Sequence, residues 1–450
     1  MPDWFERSAM RDVLGEAALV ADPFALYRLM DKLHPRRPQI EAALFERERE
    51  LFNLDATIYL YDLTSTYFEG LAQANPKAQR GYSRDSRPDA KQVVIGLVVN
   101  RDGFPIAHEI FAGNRQDRTT VDAMLEALGQ RVELRPGQTV VVDRGMAHKE
   151  NIESIRKRQM FYIVAARQTE RDEHLAEFED LDGFTEVIRQ PSPRNPAQKK
   201  SRVRVKQLRA GDETRVLCLS DGREAKDRAI REKAEKKLLA DVERLRKSVA
   251  AGRVKSATVI NQRVGRIKER YPRVARYFRL DYDEAAAQIA CQRDDQRLAV
   301  AQALDGAYLL RTNRHDLNGE EFWRVYLLLT RAENAFRCMK SPLGERPIFH
   351  QLERRVETHI FLCVLAYHLL VSIEKTLLDQ GVHSSWASVR DALRTRQICT
   401  VTLPTDDGWK LKIRQATKPE PTHLELYKQL SIPSAIMSPQ RTWIMPGSDE

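Results

Sequence analysis

The sequence predicts an α/β fold in which helices flank a mixed sheet, and two patterns in the chain point to it. Apolar residues first recur at helical spacing, at Phe24, Leu26, Leu29, Met30 and Leu33 and again across 40–51, with a break at His34-Pro35. The pattern then changes to alternation and short apolar runs at 57–62 (TIYLYD), 92–100 (QVVIGLVVN) and 105–111 (PIAHEIF). Arg101-Asp102-Gly103 is a hairpin signal between the last two runs, and 76–90 is a polar loop between the first two. A helix is expected at 119–128, capped by Asp117 or Thr119, followed by the β-branched run 139–143 (TVVVD). A helix at 149–157 then leads to a strand at 161–166.

The resulting order, β-β-β-α-β-α-β, matches the RNase H-like fold, whose first and fourth strands lie parallel and adjacent at the centre of the sheet. Neighbouring strands are about 4.8 Å apart, so carboxylates at similar depth on those two strands converge. Asp62 and Asp143 stand at the expected ends of those strands.

After 168 the alternation gives way to a long insertion, with strands expected at 202–207 and 215–220 and a charged helix at 224–250. Residues 199–279 hold 26 Lys plus Arg against 10 Asp plus Glu, a net of +16 that exceeds the +10 of the whole chain. Such concentrated positive charge argues for a polyanionic partner, nucleic acid first, although a Lys/Arg-rich helix is also what a solvated face looks like. A strand at 307–311, an amphipathic helix at 319–339 and a helix at 352–378 follow, then a Pro-rich tail with one hairpin. The expected organisation is therefore a helical N-terminal segment (1–53), a catalytic domain in two pieces (54–167 and 305–378), a basic insertion (168–304) and a C-terminal tail (379–450).

Five cysteines, at 218, 291, 338, 363 and 399, show no CxxC pairing, which excludes a disulfide framework or zinc knuckle as the expected class. The first residues, MPDWFERSAMRD, are charged where a signal peptide is apolar. The longest apolar stretch, 359–373, is shorter than the roughly 20 residues that span a bilayer. A cytoplasmic protein without membrane association is the expectation.

Three acids carry the candidate chemistry: Asp62 (TIYLYDLTSTYFEG), Asp143 (TVVVDRGMAHKEN) and Glu333 (YLLLTRAENAFRCMK). Phosphodiester cleavage is served by two divalent ions about 3.5 to 4 Å apart, and Mg²⁺ takes oxygen ligands, so a few carboxylates suffice without His or Cys. Each acid has an ordinary alternative. An Asp at a strand end commonly forms a turn or caps a helix. Tyr326, Glu333 and Lys340 are seven residues apart and share one stripe of the expected helix, with Arg337 one turn beyond the Glu. That stripe suits metal ligation by Glu333 and phosphate binding by Arg337 and Lys340; by spacing alone, a surface Glu333–Arg337 ion pair accounts for it slightly better. Thr64 and Ser65 are expected to support Asp62, and Gly145 to permit a sharp turn after Asp143. His359 and Cys363, and in the insertion Tyr271, Tyr277, Phe278 and Tyr282, read as core residues before they read as ligands or base-stacking groups.

The strings YDLTSTYFEG, VVDRGMAHKENI and YLLLTRAENAFRCMKSPLGERPIFHQLERRVETHIFL resemble the three acid-bearing blocks of bacterial insertion-sequence transposases of the DDE class with a Tyr-Arg-Glu-Lys signature. That spacing falls here on Tyr326, Leu329, Glu333 and Lys340, so the signature Arg is replaced by Leu and Arg337 is the cation left on the same face. The resemblance implies an RNase H-like catalytic domain with Asp62, Asp143 and Glu333 as catalytic metal ligands. It further implies two Mg²⁺ ions with Mn²⁺ as a substitute, and Tyr326, Arg337 and Lys340 as DNA-binding residues. Double-stranded DNA at transposon ends and target, a homodimer on DNA and an insertion that grips a DNA end are also implied. Two other readings share these residues: a nuclease of the same fold that cuts without joining, and a truncated DNA-binding remnant, the latter suggested by the short leader of 61 residues before Asp62.

Overall fold

A computed structural model describes residues 8–14, 23–190, 200–284, 286–435 and 437–446. The N-terminal helices are α1 (Pro23–Leu33) and α2 (Arg37–Phe52), separated by a 3₁₀ turn at His34–Arg36 where Pro35 interrupts the helical pattern. There follow β1 (Ile58–Tyr67), β2 (Gln92–Asn100), β3 (Pro105–Ala112), α3 (Val121–Gly129), β4 (Thr139–Val142), α4 (Lys149–Lys157) and β5 (Phe161–Ala165). The inserted stretch holds β6 (Thr185–Arg189), β7 (Ser201–Ala210), β8 (Glu213–Ser220), α5 (Asp221–Ala250), α6 (Ala257–Arg270), β9 (Phe278–Asp283), β10 (Gln288–Arg293) and α7 (Asp295–Ala303). Then come β11 (Ala307–Thr312), α8 (Gly319–Leu327), α9 (Thr330–Lys340), α10 (Glu353–Asp379), α11 (Trp386–Leu393), β12 (Ile398–Pro404), β13 (Lys410–Ala416), α12 (Pro421–Gln429) and β14 (Gln440–Ile444). Residues 1–7 and 15–22 of the expected helical leader lie outside the described residues.

The chain divides into two compact units, Met1–Val140 with Glu153–Met160 and Leu328–Glu450, and Val141–Ile152 with Phe161–Leu327. In the first, the strand order is β3-β2-β1-β4, with β1, β2 and β3 antiparallel neighbours. The Thr139 amide donates to the Thr57 carbonyl at 2.8 Å, joining strand start to strand start, so β1 and β4 run in the same direction and the sheet is mixed. All nine residues of β2 are buried, which a central strand covered on both faces requires. The helix α10, long and apolar enough by length to cross a membrane, instead supplies core residues Val356, Ile360, Phe361, Val364 and Tyr367. His359 and Cys363 on it bond the carbonyls of Glu345 and Leu343 at 3.0 and 3.7 Å, a core role. The C-terminal stretch forms a three-stranded sheet, β12-β13-β14, one strand more than the expected hairpin.

In the second unit the order is β4-β5-β11-β8-β7-β6, antiparallel from β5 outward. The two strands expected in the insertion thus extend a sheet, because Leu217 and Leu219 bury against Ala166, Phe178 and Leu309. Beyond them α5, α6 and the β9-β10 hairpin close around their own core of Leu238, Val242, Leu245, Ile260, Val264 and Tyr277. Tyr271, Phe278 and Tyr282 pack against that core, as expected of residues that hold a fold together.

From β1 to β5 the element order is the one read from the sequence, and the adjacent, parallel β1 and β4 are what an RNase H-like core requires; β6, α6, β9, β10 and α7 of the inserted stretch are not among the expected elements. Two boundaries differ in ways that matter. The strand β1 continues five residues past Asp62, because Leu63 to Thr66 are buried and pair with Gly96 to Val93, so Asp62 lies mid-strand. The helix expected at 319–339 is two helices, broken at Leu328 and Leu329, which separates Tyr326 from the stripe of Glu333 and Lys340. A smaller difference is that α3 starts at Val121 after a 3₁₀ turn, Asp117–Thr119, with no side-chain cap.

Candidate active site

Asp62 sits half-buried on β1, its Oδ1 accepting from the following amide, Leu63, at 2.8 Å. Ser65 accepts from the Arg84 amide at 3.1 Å and so holds the 76–90 loop. That loop is fastened along its length. Gly113 meets it so closely that a Cβ there would lie 2.0 Å from the Gln92 carbonyl oxygen and 2.3 Å from that of Gln79, a separation only glycine permits. Arg84 pairs with Asp117 at 2.7 Å, and Arg87 stacks over Tyr67 at 4.7 Å.

Helix α9 packs against β1 through Ala332, Ala335, Phe336 and Met339, which leaves Glu333 and Arg337 on its exposed face. The two form no ion pair with each other. Glu333 lies in the first helical turn, where the positive end of the helix dipole favours its carboxylate. Lys340, in the last turn, donates to Asp85 of the fastened loop at 2.8 Å, and Arg346 contacts the same carboxylate. Leu329, at the signature Arg position, is buried.

Beside that pair lies Glu345, fully buried, with neither carboxyl oxygen hydrogen-bonded among the described residues. Burial pushes its pKa up to about 7; Lys340, the nearby Thr66 hydroxyl, which lies short of a full hydrogen bond, and Arg346 oppose the rise, and the Asp85 charge adds to it. Burial raises the Cys363 thiol, and the Glu345 charge adds to it. Because the native state holds this proton more tightly than the unfolded chain, its contribution to stability is full below pH about 4.5 and is lost as pH rises through about 7. Glu345→Gln is therefore expected to remove about 3 kcal/mol of stability loss between pH 4.5 and 8, read as wild-type and variant urea midpoints that move apart as pH rises. A wild-type and variant difference that does not change with pH would contradict this.

In the second unit, Asp143 follows β4 with extended backbone and an exposed side chain, at the start of the 3₁₀ turn Arg144–Met146. Gly145 takes no positive φ there, so the turn needs no left-handed backbone at that residue. The Tyr326 hydroxyl donates to Asp143 Oδ1 at 3.4 Å. Burial raises the Tyr326 phenol above its usual range and the Asp143 charge adds to this, so it stays a neutral donor. Three residues back on α8, Trp323 donates to the Tyr308 hydroxyl at 2.6 Å, and the Arg223 guanidinium lies 4.1 Å from the Tyr308 ring centre.

Among the described residues no group of three or more His, Cys, Asp or Glu side chains is arranged to hold a metal ion. Asp62 and Glu333 belong to the first unit and Asp143 and Tyr326 to the second. Sequence reasoning missed Asp85 and Glu345, whose partners lie some 250 residues away or are hydrophobic surroundings, and Arg223, one cation among many in the insertion.

The sequence profile of the transposase DDE domain family matches residues 53–369. The chain belongs to the transposase DDE domain family. The matched stretch of this transposase domain contains Asp62, Asp143, Tyr326, Glu333, Arg337 and Lys340. A solved structure to which the chain is similar is the piggyBac transposase synaptic complex with hairpin DNA, at 10% identity and a TM-score of 0.23. That likeness covers 81% of this chain and 64% of the other, so the chain spans less than two thirds of that transposase's length. No curated protein matches the chain.

Proposed function

We propose that this transposase nicks the ends of an insertion sequence and joins the freed 3′ hydroxyl to a second DNA site, with Asp62, Asp143 and Glu333 as ligands of two Mg²⁺ ions. The supporting observation is that the family match spans all three acids, each on its own element, with Asp143 and Glu333 exposed and in no ion pair with a described cation. The donor set fits: hard carboxylate oxygens are what Mg²⁺ or Mn²⁺ prefers. When bound, such ions activate the attacking oxygen and stabilise the leaving one.

The chain's own residues set the rest. The neutral Tyr326 hydroxyl orients Asp143, and the first turn of α9 presents Glu333. Arg337 and Lys340 offer charge-assisted bonds to phosphate, Lys340 by exchanging its Asp85 partner. The basic surface of the insertion grips duplex DNA through its phosphates, and two copies pair two ends. Incubating the chain with a duplex carrying the inverted repeat that flanks its gene, target DNA and Mg²⁺ is expected to give strand-joined product. Nicked ends without joining mean a nuclease, and binding without nicking means a remnant.

A further inference from the structure

The start of α5 is held unusually firmly. Ser220 caps it by accepting from the Arg223 amide at 3.4 Å, and the Ser220 amide donates to the Gly306 carbonyl at 3.1 Å. The Gly306 amide in turn donates to Asp227 at 3.1 Å, while Arg231 grips Asp305 through two bonds of 2.6 and 2.5 Å. Gly306 has φ +74°, and a Cβ on it would lie 2.6 Å from the Ser220 carbonyl oxygen, so this approach of helix start to strand start depends on glycine. Arg223 is thereby fixed next to Tyr308, two residues into β11.

The Arg223 guanidinium carbon lies over the Tyr308 ring, 4.1 Å from its centre, and Tyr308 is itself held by Trp323 at 2.6 Å. Trp323 and Tyr326 share a face of α8, and Tyr326 reaches Asp143. Burial and the Asp143 charge raise the Tyr326 phenol, and the Arg223 charge opposes them. Yet the Arg223 side chain is exposed, and among the described residues no carboxylate pairs with it. Its neighbours on the same helix differ: Arg228 pairs with Glu224, Arg231 with Asp305 and Arg244 with Asp241. A guanidinium held by a ring and by no carboxylate keeps N–H donors available to a planar or tetrahedral oxyanion.

We propose that Arg223 is a phosphate-contacting residue, its guanidinium taking a phosphodiester oxygen of the DNA strand that lies at Asp143. This rests on the transposase reading and adds a contact from the insertion to it.

The probe is a duplex carrying the inverted repeat that flanks the gene. Arg223→Gln is expected to bind it about tenfold more weakly, with the slope of log affinity against log salt reduced by about 0.9. Arg223→Lys keeps the charge and is expected to keep the wild-type slope, which a purely structural role for the arginine would not produce. A scan of single neutral methylphosphonate linkages is expected to find one position where wild type weakens and Arg223→Gln does not. An unchanged slope in Arg223→Gln, an equal loss of slope in Arg223→Lys, or linkages that weaken both proteins alike would each overturn the proposal. If the wild-type chain shows no salt-dependent binding and no Mg²⁺-dependent nicking, it is the transposase reading that has failed.

Discussion

Asp62→Asn and Asp143→Asn are each expected to reduce Mg²⁺-dependent nicking of an end duplex by more than the roughly 10- to 100-fold that loss of an outer-shell partner costs a metal site. Asn keeps the volume and one acceptor but removes the charge that two closely spaced cations need. Affinity for the duplex is expected to stay within a few-fold, because it is carried by contacts between cations and phosphates that neither substitution touches. Tyr326→Phe, which removes only the 3.4 Å bond to Asp143, should cost less than either. Gel assays of nicking beside fluorescence anisotropy separate these effects. Nicking by either Asn variant within about tenfold of wild type would set aside the metal-ligand role of that residue.

The largest stability effect is expected at Glu41. Its carboxylate is buried on α2, contacts His108 Nδ1 at 2.5 Å and accepts from Arg131 Nε at 2.9 Å. Arg131 also bonds Glu109 at 2.9 Å, which Arg37 meets at the same distance. This network ties α2 to β3 and so to the sheet that holds Asp62. Truncation to Ala breaks this buried network, leaving Arg131 with Glu109 as its remaining carboxylate and His108 Nδ1 without Glu41, a defect worth about 3 to 5 kcal/mol. That is a large share of a domain's usual 5 to 15 kcal/mol. Burial acts to raise the Glu41 pKa, but His108 and Arg131 outweigh it and the net direction is downward. The pair's contribution is therefore present above the ordinary carboxylate pKa and lost as pH falls through the depressed value. Urea unfolding of Glu41→Ala at neutral pH reads the effect, and a loss below about 1 kcal/mol would show that the network is not what secures this helix.

Much of the fold was legible because hydrophobic period and turn chemistry are local properties. The strand 92–100 and the helix 149–157 fall where the sequence placed them, and the hairpin at Arg101 to Gly103 turns with Gly103 at φ +97°. What failed was decided at a distance. Thr64, Ser65 and Thr66 read as polar residues after a strand end, yet their pairing with Ile95, Val94 and Val93 extends β1 past Asp62. The break between α8 and α9 falls on Leu328-Leu329, within an unbroken apolar run that carries no Gly or Pro to announce it. Asp62 and Asp143 stood out in sequence because charged residues in or beside apolar strands are costly unless they bind something, and Glu333 through the stripe it shares with Lys340 and Arg337. Asp85, Glu345 and Arg223 did not, since their meaning comes from partners far along the chain.

The central claim is that Asp62, Asp143 and Glu333 hold one set of metal ions. Replacing Mg²⁺ by Fe²⁺ in the complex with end duplex, then adding ascorbate and peroxide, generates radicals that cut the backbone only beside the bound ion. Chain cleavage near all three residues, lost on competition with excess Mg²⁺, is the predicted pattern. Cleavage confined to one of them, or unaffected by Mg²⁺, would contradict it.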